Sequence, residues 1–167
     1  MAQEIHKEKK KLVGGLVGRH YHSLDKKKRL TIPSEWRDAL DMDVADTDSR
    51  EYVYVLPNET EDCLDLVPVR EMEHLLEELS GTDILENDAM ATALAQTAQM
   101  LKVDTAGRIR IGDDLLGFAG IKEDITLIGG FRKAQIWATE KKPKTEGLDV
   151  AAFRAALARR KEAAQTK

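Results

Sequence analysis

Two aspartates of this chain each precede an arginine by four positions, Asp25 before Arg29 and Asp104 before Arg108. In a turn of that length, the carboxylate can accept backbone N–H groups and so hold the loop in shape. The guanidinium can pair with the carboxylate, or it can reach outward to a phosphate or to the edge of a guanine. The spacing leaves both alternatives open, so each arginine either shapes the fold or contacts a nucleic acid.

The two aspartate–arginine pairs belong to two copies of a longer pattern. Each copy has an apolar residue, Asp, three small or polar residues, Arg and a short alternating strand, in residues 24–32 (LDKKKRLTI) and 103–111 (VDTAGRIRI). The correspondence continues beyond the pattern, because Trp36 falls opposite Leu115 and Leu40 falls opposite Ala119. Two copies are too few for a solenoid and predict a pseudo-two-fold domain built from duplicated halves.

Three consecutive lysines fill the first turn, Lys26, Lys27 and Lys28. Their charges repel one another, and such a cluster is favourable mainly when an anion docks against it. We therefore predict a DNA-binding surface formed by Lys26, Lys27, Lys28, Arg29, Arg108 and Arg110. The two aspartates, Asp25 and Asp104, are predicted to shape the turns.

Charge is sorted along the chain, although the net charge is only −4. Residues 1–40 carry 10 Lys or Arg and 5 Asp or Glu, residues 41–101 carry 2 and 16, and residues 102–167 carry 14 and 9. The two motifs therefore lie in the two basic blocks. A polyanion responds to this local field, because salt screens charges beyond about 10 Å. The alternative is a basic tail at each end and a solvated acidic helix between them.

Length and composition favour one compact domain in a reducing compartment. A chain of 167 residues corresponds to roughly one domain, and it has no run of about 18 apolar residues that could span a membrane. No apolar segment of signal-peptide length occurs before Gly14. The single cysteine, Cys63, excludes an internal disulfide, so a cytoplasmic protein is expected.

Other groups that could do chemistry are weakly marked. His20 and His22 share a strand face without a third ligand at a metal-like spacing. Cys63 has no histidine nearby in sequence and is expected to pack as a small apolar residue. No nucleophile–base arrangement is recognisable, so we expect neither an enzyme nor a metal, a cofactor or a small-molecule substrate.

Alternation and helical periodicity predict a chain of short strands and helices. Strands are expected at 20–24, 29–33, 52–56, 63–67, 108–111, 124–128 and 134–138. Short helices are expected to begin at Ser34 and Asp113. Longer helices are predicted around Met72 to Leu79, from a cap at Asn87 through Leu101, and from Asp149 to the basic run at 159–161.

The motifs together resemble those of the MraZ family. The similarity rests on Tyr21-x-x-x-Asp25-x-x-x-Arg29-Leu30-Thr31-Ile32-Pro33, on Val103-Asp104-x-Ala106-Gly107-Arg108-Ile109 and on residues 119–121 and 128–137, and it spans about 17–139. Members of this family are bacterial DNA-binding regulators built from two SpoVT-AbrB-like repeats. The resemblance implies a ring-shaped homo-oligomer that binds short direct repeats upstream of the cell-division and cell-wall gene cluster. By position, it carries over Asp25, Arg29, Asp104 and Arg108.

The expected fold is thus α+β and mainly β, with duplicated SpoVT-AbrB-like swapped-hairpin halves in one pseudo-two-fold domain. The expected layout is a basic flexible tail (1–16), a first repeat with its following helix (17–82), a connecting helix with the second repeat (83–142) and a C-terminal helix with a basic tail (143–167). The expected function is sequence-specific transcriptional regulation by a nucleoid-associated cytoplasmic protein.

Three departures from the family pattern qualify this reading. Lys28 replaces the glycine usual in the first turn, which costs about 1 kcal/mol if that position has a positive φ. Pro33 of the first copy becomes Gly112 in the second. The stretch from Asn87 to Met100, often basic in the family, contains no lysine or arginine. DNA contacts are therefore expected to have moved toward 26–28 and the N-terminal tail.

Two other functions remain open at the level of the sequence. A ring-forming structural or interaction protein of the same fold, without specific DNA binding, is favoured by the acidic central helix. An AbrB-like antitoxin is the third possibility, and it would carry a disordered toxin-binding tail, whereas the C-terminus here has the pattern of a basic helix.

Overall fold

The computed structural model describes residues 15–37, 39–40, 52–80, 84–143 and 149–165. Its eight strands are β1 (Arg19–Ser23), β2 (Arg29–Thr31), β3 (Tyr52–Pro57), β4 (Leu64–Pro68), β5 (Gln99–Lys102), β6 (Arg108–Arg110), β7 (Asp124–Gly129) and β8 (Ala134–Ala138). Its helices are α1 (Ser34–Arg37), α2 (Val69–Ser80), α3 (Ile84–Thr97), α4 (Asp113–Ala119) and α5 (Val150–Gln165), and a 3₁₀ turn covers Thr139–Lys141. The seven strands predicted from alternation are all present within two residues of their predicted bounds.

All strands pair in the antiparallel sense, in one large sheet and one small ribbon. The large sheet has the order β1-β7-β8-β4-β3-β5, and β2 pairs with β6 in a separate two-stranded ribbon. If β1 is exchanged with β5, β2 with β6, β3 with β7 and β4 with β8, the order of the large sheet reads backwards. Every pair of neighbouring strands is then the same as before. The strand pairing therefore has the pseudo-two-fold pattern that the repeated motif predicts.

Strand partners come from the opposite half of the chain around each motif. β1 pairs with β7, while β2, which follows β1 after a short turn, pairs with β6. The turn between them is tight, because Lys28 N–H donates to the Asp25 carbonyl at 2.9 Å and Asp25 N–H donates to the Arg29 carbonyl at 3.1 Å. The predicted turn is thus present, but β1 and β2 belong to different sheets and each pairs with a strand of the other half.

The main core lies between the ribbon, the short helices and the large sheet. Leu30 and Ile32 of the first copy and Ile109 and Ile111 of the second are buried, as alternation predicts, while Thr31 between the first pair is exposed. Trp36 of α1 is fully buried, and its indole N–H donates to the carbonyl of Val17 at 2.8 Å. The corresponding residues of α4, namely Leu115 and Ala119, are buried as well.

Three of the predicted helix bounds are wrong, both ends of α3 and the end of α5. The helix expected from a cap at Asn87 through Leu101 begins at Ile84 and ends at Thr97, and the next residues form β5. Leu101 continued the helical spacing, but it pairs with Val53 in the sheet, where pairing along β3 outweighs one more helical turn. Helix α5 begins as predicted, because the Asp149 carboxylate accepts the N–H of Ala152 at 2.9 Å. It then runs past residue 161 to Gln165.

The N-terminal tail predicted for 1–16 falls largely outside the described residues, which begin at 15. Leu16 is fully buried and forms an isolated antiparallel bridge with Phe131, so it belongs to the core rather than to a tail. Across the part of the chain that the structure describes, no helix is both long and apolar enough to cross a membrane.

Candidate nucleic-acid interface

The first turn is organised by the Asp25 carboxylate. Its Oδ1 accepts the backbone N–H groups of Lys27 at 2.9 Å and of Arg29 at 2.8 Å. Its Oδ2 accepts the Arg29 side-chain Nε–H at 2.7 Å, in an ion pair that is part-buried. One carboxylate therefore closes the loop and orients the guanidinium, which answers whether Arg29 pairs with its aspartate.

The second turn repeats this arrangement almost atom for atom. Asp104 Oδ1 accepts the N–H groups of Ala106 at 3.0 Å and Arg108 at 2.9 Å, and Oδ2 accepts the Arg108 Nε–H at 2.8 Å. The Gly107 N–H donates to the Asp104 carbonyl at 2.9 Å, as Lys28 does to Asp25 in the first turn. Asp25 and Asp104 thus each accept three hydrogen bonds within their own turn.

Both carboxylates are held in the ionised form by these hydrogen bonds. The backbone N–H of Arg29 is the main reason that the pKa of Asp25 is lowered, and the Arg29 side chain and the N–H of Lys27 add to it. The pKa of Asp104 is lowered mainly by the backbone N–H of Arg108, again with help from its guanidinium. Protonating either aspartate therefore weakens its turn.

The residue before each arginine adopts the left-handed backbone conformation. Lys28 has φ = 57°, and Gly107 has φ = 80°. Glycine adopts this conformation at no steric cost, whereas lysine loses about 1 kcal/mol there. The departure noted in the sequence is therefore a strained one, because the first turn uses the same backbone geometry with a less suitable residue.

The β2–β6 ribbon presents three arginines on one face. Arg29 lies directly opposite Arg110, and Thr31 lies directly opposite Arg108, while Leu30 and Ile109 between them point into the core. Arg110 is exposed, and Arg29 and Arg108 are half-buried. Like charges directly opposite each other destabilise an antiparallel pair. Here Arg29 and Arg108 are each paired with an aspartate through Nε, so Arg110 adds the exposed charge of this outward face.

The lysine turn, meaning Lys26, Lys27 and Lys28, continues this basic face. All three side chains are exposed. Lys28 Nζ lies 3.1 Å from Asp113 Oδ1 at the start of α4, and both groups are more than half exposed. A surface ion pair of this kind contributes little to stability. The structure therefore brings the lysine turn next to Arg29, and it brings Arg29, Arg108 and Arg110 together on the ribbon.

Sequence reasoning missed Arg37 of α1. Its Nη2 donates to the carbonyl of Ala106 at 2.8 Å, and its guanidinium lies against Gly107 where any side chain would collide with it. Its partner is 69 positions away in the chain, so no local motif marks it. Arg37 thus adds a guanidinium at the second turn, in addition to the three of the ribbon.

The two histidines and the cysteine that the sequence singled out pack against other side chains or are buried. The rings of His20 and Trp36 meet edge to face with centroids 5.1 Å apart, and His20 and His22 are 6.5 Å apart. Burial raises the pKa of the Cys63 thiol to about 12, so this cysteine is unreactive. Within the described ranges, no three His, Cys, Asp or Glu side chains are grouped as a metal site would require.

Comparison with known proteins gives the family. No protein-family model matches the chain. It is 36% identical over 126 residues to the transcriptional regulator MraZ of Methylocella silvestris, a match that covers 74% of this chain and 73% of that protein. It is 36% identical over 124 residues to MraZ of Beijerinckia indica, which covers 72% of each chain. MraZ of Clostridium tetani is 29% identical over 127 residues, 75% of this chain and 82% of the relative. The repeated turns and these relatives together show that the chain belongs to the family of MraZ transcriptional regulators.

Proposed function

We propose that this chain is a DNA-binding transcriptional regulator that contacts duplex DNA through the β2–β6 ribbon and the lysine turn. The observation that carries the proposal is the outward face of the ribbon, where Arg29 and Arg110 stand directly opposite each other. A two-stranded ribbon fits the width of the major groove of B-DNA. The proposed DNA contacts remain Lys26, Lys27, Lys28, Arg29, Arg108 and Arg110.

The ribbon and the turn have different parts in this proposal. Arg29 binds Asp25 through Nε, so its terminal nitrogens are oriented and can donate to a base edge or a phosphate. Because the aspartate restricts the guanidinium, less conformational entropy is lost on binding. The lysines are flexible point charges and suit phosphates, which carry no sequence information. Sequence is then read by the arginines, and affinity comes largely from the lysines.

One ribbon with one lysine turn touches only a few phosphates, so a single copy is expected to bind weakly. We propose that several copies form a ring-shaped homo-oligomer, which binds short direct repeats upstream of the division and cell-wall gene cluster. The protein would then be cytoplasmic and associated with the nucleoid. Repeats with the right spacing then bind through effective concentration rather than through new contacts. The relatives named as transcriptional regulators support the regulatory part of this proposal.

We also propose that the halves 17–82 and 83–142 are duplicated SpoVT-AbrB-like units, with the residues before Leu16 as a basic tail and 143–167 as a C-terminal extension. The exchange symmetry of the strand order supports duplication. Within this segment, Val150–Gln165 forms the helix α5, whereas a toxin-binding tail would be disordered, which argues against an antitoxin. No cofactor, metal or small-molecule substrate enters the proposed function.

The proposal is tested by fluorescence anisotropy with the DNA upstream of the protein's own gene. We expect binding to DNA with two or more spaced repeats, at least about tenfold tighter than to DNA with one repeat. Arg110→Ala should weaken binding by about 10-fold, corresponding to one lost arginine contact. The control is Arg132→Ala, since Arg132 lies beyond the end of β7 that pairs with Arg19, away from the first turn.

A second function has one observation in its favour. Helix α3 contains Glu86 and Asp88 but no lysine or arginine, so it cannot attract DNA. A protein that assembles through this fold as a scaffold would keep its oligomeric mass and show no preference for its own upstream DNA. That result, with Arg110→Ala indistinguishable from wild type, would replace the regulator with the scaffold.

A further inference from the structure

Helix α5 has an apolar stripe that no described part of the chain covers. Val150, Phe153 and Leu157 recur at helical spacing, and 46%, 50% and 44% of their surfaces are exposed. Every described residue of α5 is exposed. A helix of this length is marginal on its own and normally gains its stability from packing of an apolar face. The stripe is therefore a surface that fits a partner.

Basic side chains border this stripe. Arg154 follows Val150 by four positions and precedes Leu157 by three, and Lys161 follows Leu157 by four, so both lie beside the apolar residues. Arg159 is two positions after Leu157 and points away from the stripe. The face of α5 is thus an apolar line with cations alongside, which suits an apolar surface with acidic edges.

The α2–α3 pair offers such an apolar surface. Beneath these helices lies a second small core, in which Leu56, Val67 and Met72 are buried and Leu75 and Leu94 only partly so. On the same two helices, Leu76 of α2 is 45% exposed and Met90 of α3 is 55% exposed. Large apolar side chains of both helices are therefore accessible to a partner.

The edges of the same surface are acidic. Among the residues of α2 and α3 whose side chains the structure describes, Arg70 is the one lysine or arginine, against five carboxylates, at Glu71, Glu73, Glu77, Glu78 and Asp88. Glu73 precedes Leu76 by three positions and therefore lies beside it on the helix. The α2–α3 pair therefore offers exposed apolar side chains for the stripe of α5 and carboxylates for its cations.

We propose that α5 of one copy docks its stripe of Val150, Phe153 and Leu157 on the α2–α3 pair of a second copy, around Leu76 and Met90. The cations beside the stripe then meet the carboxylates beside Leu76, and this complementarity steers the docking. We take the partner to be a second copy of this chain, because α5 does not pack on the α2–α3 pair of its own chain and every described residue of α5 is exposed. Each copy donates a helix and receives one, a head-to-tail contact that closes into a ring when its rotation allows. This inference rests on the self-association proposed above and not on DNA binding.

Disulfide trapping between two tagged copies tests the contact. Full-length Leu157→Cys with one tag and Leu76→Cys with another are coexpressed, purified through both tags and oxidised mildly. We expect a disulfide that joins the two tags. The native Cys63 does not compete, because it is buried. The matched control pairs Arg159→Cys with Leu76→Cys and should give at least about tenfold less product, because residue 159 faces away.

Charge reversal provides the second measurement. Arg154→Glu with Lys161→Glu should lower the trapped product by about tenfold, through like-charge contact with Glu73 and Glu77. Glu73→Lys with Glu77→Lys in the partner should restore it. Arg159→Glu should leave it unchanged. Recovery by the compensating pair is not expected from a variant that simply misfolds.

Three outcomes would overturn the proposal. In the first, the cysteine variants keep the oligomeric mass of the wild type by light scattering but form no disulfide between copies. The copies would then associate through another surface. In the second, a chain that carries both Leu157→Cys and Leu76→Cys forms the disulfide within itself, while two singly substituted copies do not form it. The contact would then lie within one chain. The last is a loss of DNA affinity after reversal of Arg154 and Lys161 with trapping unaffected, which assigns α5 to DNA.

Discussion

The two motif turns have the same frame and different contents. In both, one aspartate accepts two backbone N–H groups and the Nε–H of the arginine four positions later, with distances that agree within 0.1 Å. The first turn fills this frame with Lys26, Lys27 and Lys28, and the second with Thr105, Ala106 and Gly107. The second turn shows that the frame needs no lysine.

This difference separates what serves the fold from what serves binding. Glycine suits the left-handed position of the second turn, and Lys28 occupies the same position at a cost of about 1 kcal/mol. Lys28 also pairs with Asp113 at 3.1 Å, but a surface ion pair of this kind contributes little to stability. On this comparison, the aspartates are structural in both turns, whereas the proposed contact with DNA would account for the lysines of the first.

The largest expected effect comes from removing the lysines. Lys26→Ala, Lys27→Ala and Lys28→Ala together should lower DNA affinity about 100-fold at moderate salt and reduce the salt slope by about 2. All DNA sequences should be weakened about equally, because phosphates carry no sequence information. Titrations at several salt concentrations measure both quantities. Thr105→Ala in the second turn is the control, and a salt slope unaffected by the triple replacement would refute the phosphate contacts.

Removing either aspartate should lower stability by similar amounts. Asp25→Ala and Asp104→Ala each delete three hydrogen bonds, so each Tm should fall by about 5 °C, and Asp25→Ala should cost more than Arg29→Ala. Differential scanning calorimetry measures the shifts. Asp113→Ala removes only a surface ion pair and should stay within about 1 °C of wild type. A large difference between the two aspartate variants would show that the frames are not equivalent.

Acid should weaken both turns together. The pKa values of Asp25 and Asp104 are lowered in the folded protein, so the stabilisation is complete above the ordinary aspartate value of 3.8. It is lost as the pH falls from that value through the lowered pKa values. Denaturant titrations from pH 6 to about pH 2 should therefore show a steeper loss for wild type than for Asp25→Asn with Asp104→Asn. Parallel curves would contradict the assigned role of the carboxylates.

The smallest effect is expected from making the first turn resemble the second. Lys28→Gly relieves the positive φ but adds flexibility to the unfolded chain, so Tm should rise by about 2 °C or less. DNA affinity should drop at the same time, since one cation is lost. The reciprocal Gly107→Lys should destabilise the protein, because any side chain there meets the Arg37 guanidinium. A lower Tm for Lys28→Gly would mean that the lysine stabilises the turn itself.

The local parts of this molecule could be predicted from its sequence. The aspartate–arginine turns depend on hydrogen bonds within five consecutive residues, and the alternation of Leu30, Thr31 and Ile32 depends only on the geometry of a strand. The start of α5 at its Asp149 cap is local in the same sense. Short-range hydrogen bonds and side-chain periodicity determine these features, so the residues alone suffice.

Only the tertiary structure decided which strands meet. β2 pairs with β6, about 80 positions away, and this pairing alone places Arg29 opposite Arg110 on one face. A different long-range pairing, with β3, made Gln99–Lys102 a strand where the helical spacing continued. Arg37 reached the second turn through a contact across 69 positions. Periodicity describes which face of an element is apolar, whereas the partner of that face depends on how the whole chain buries its surface.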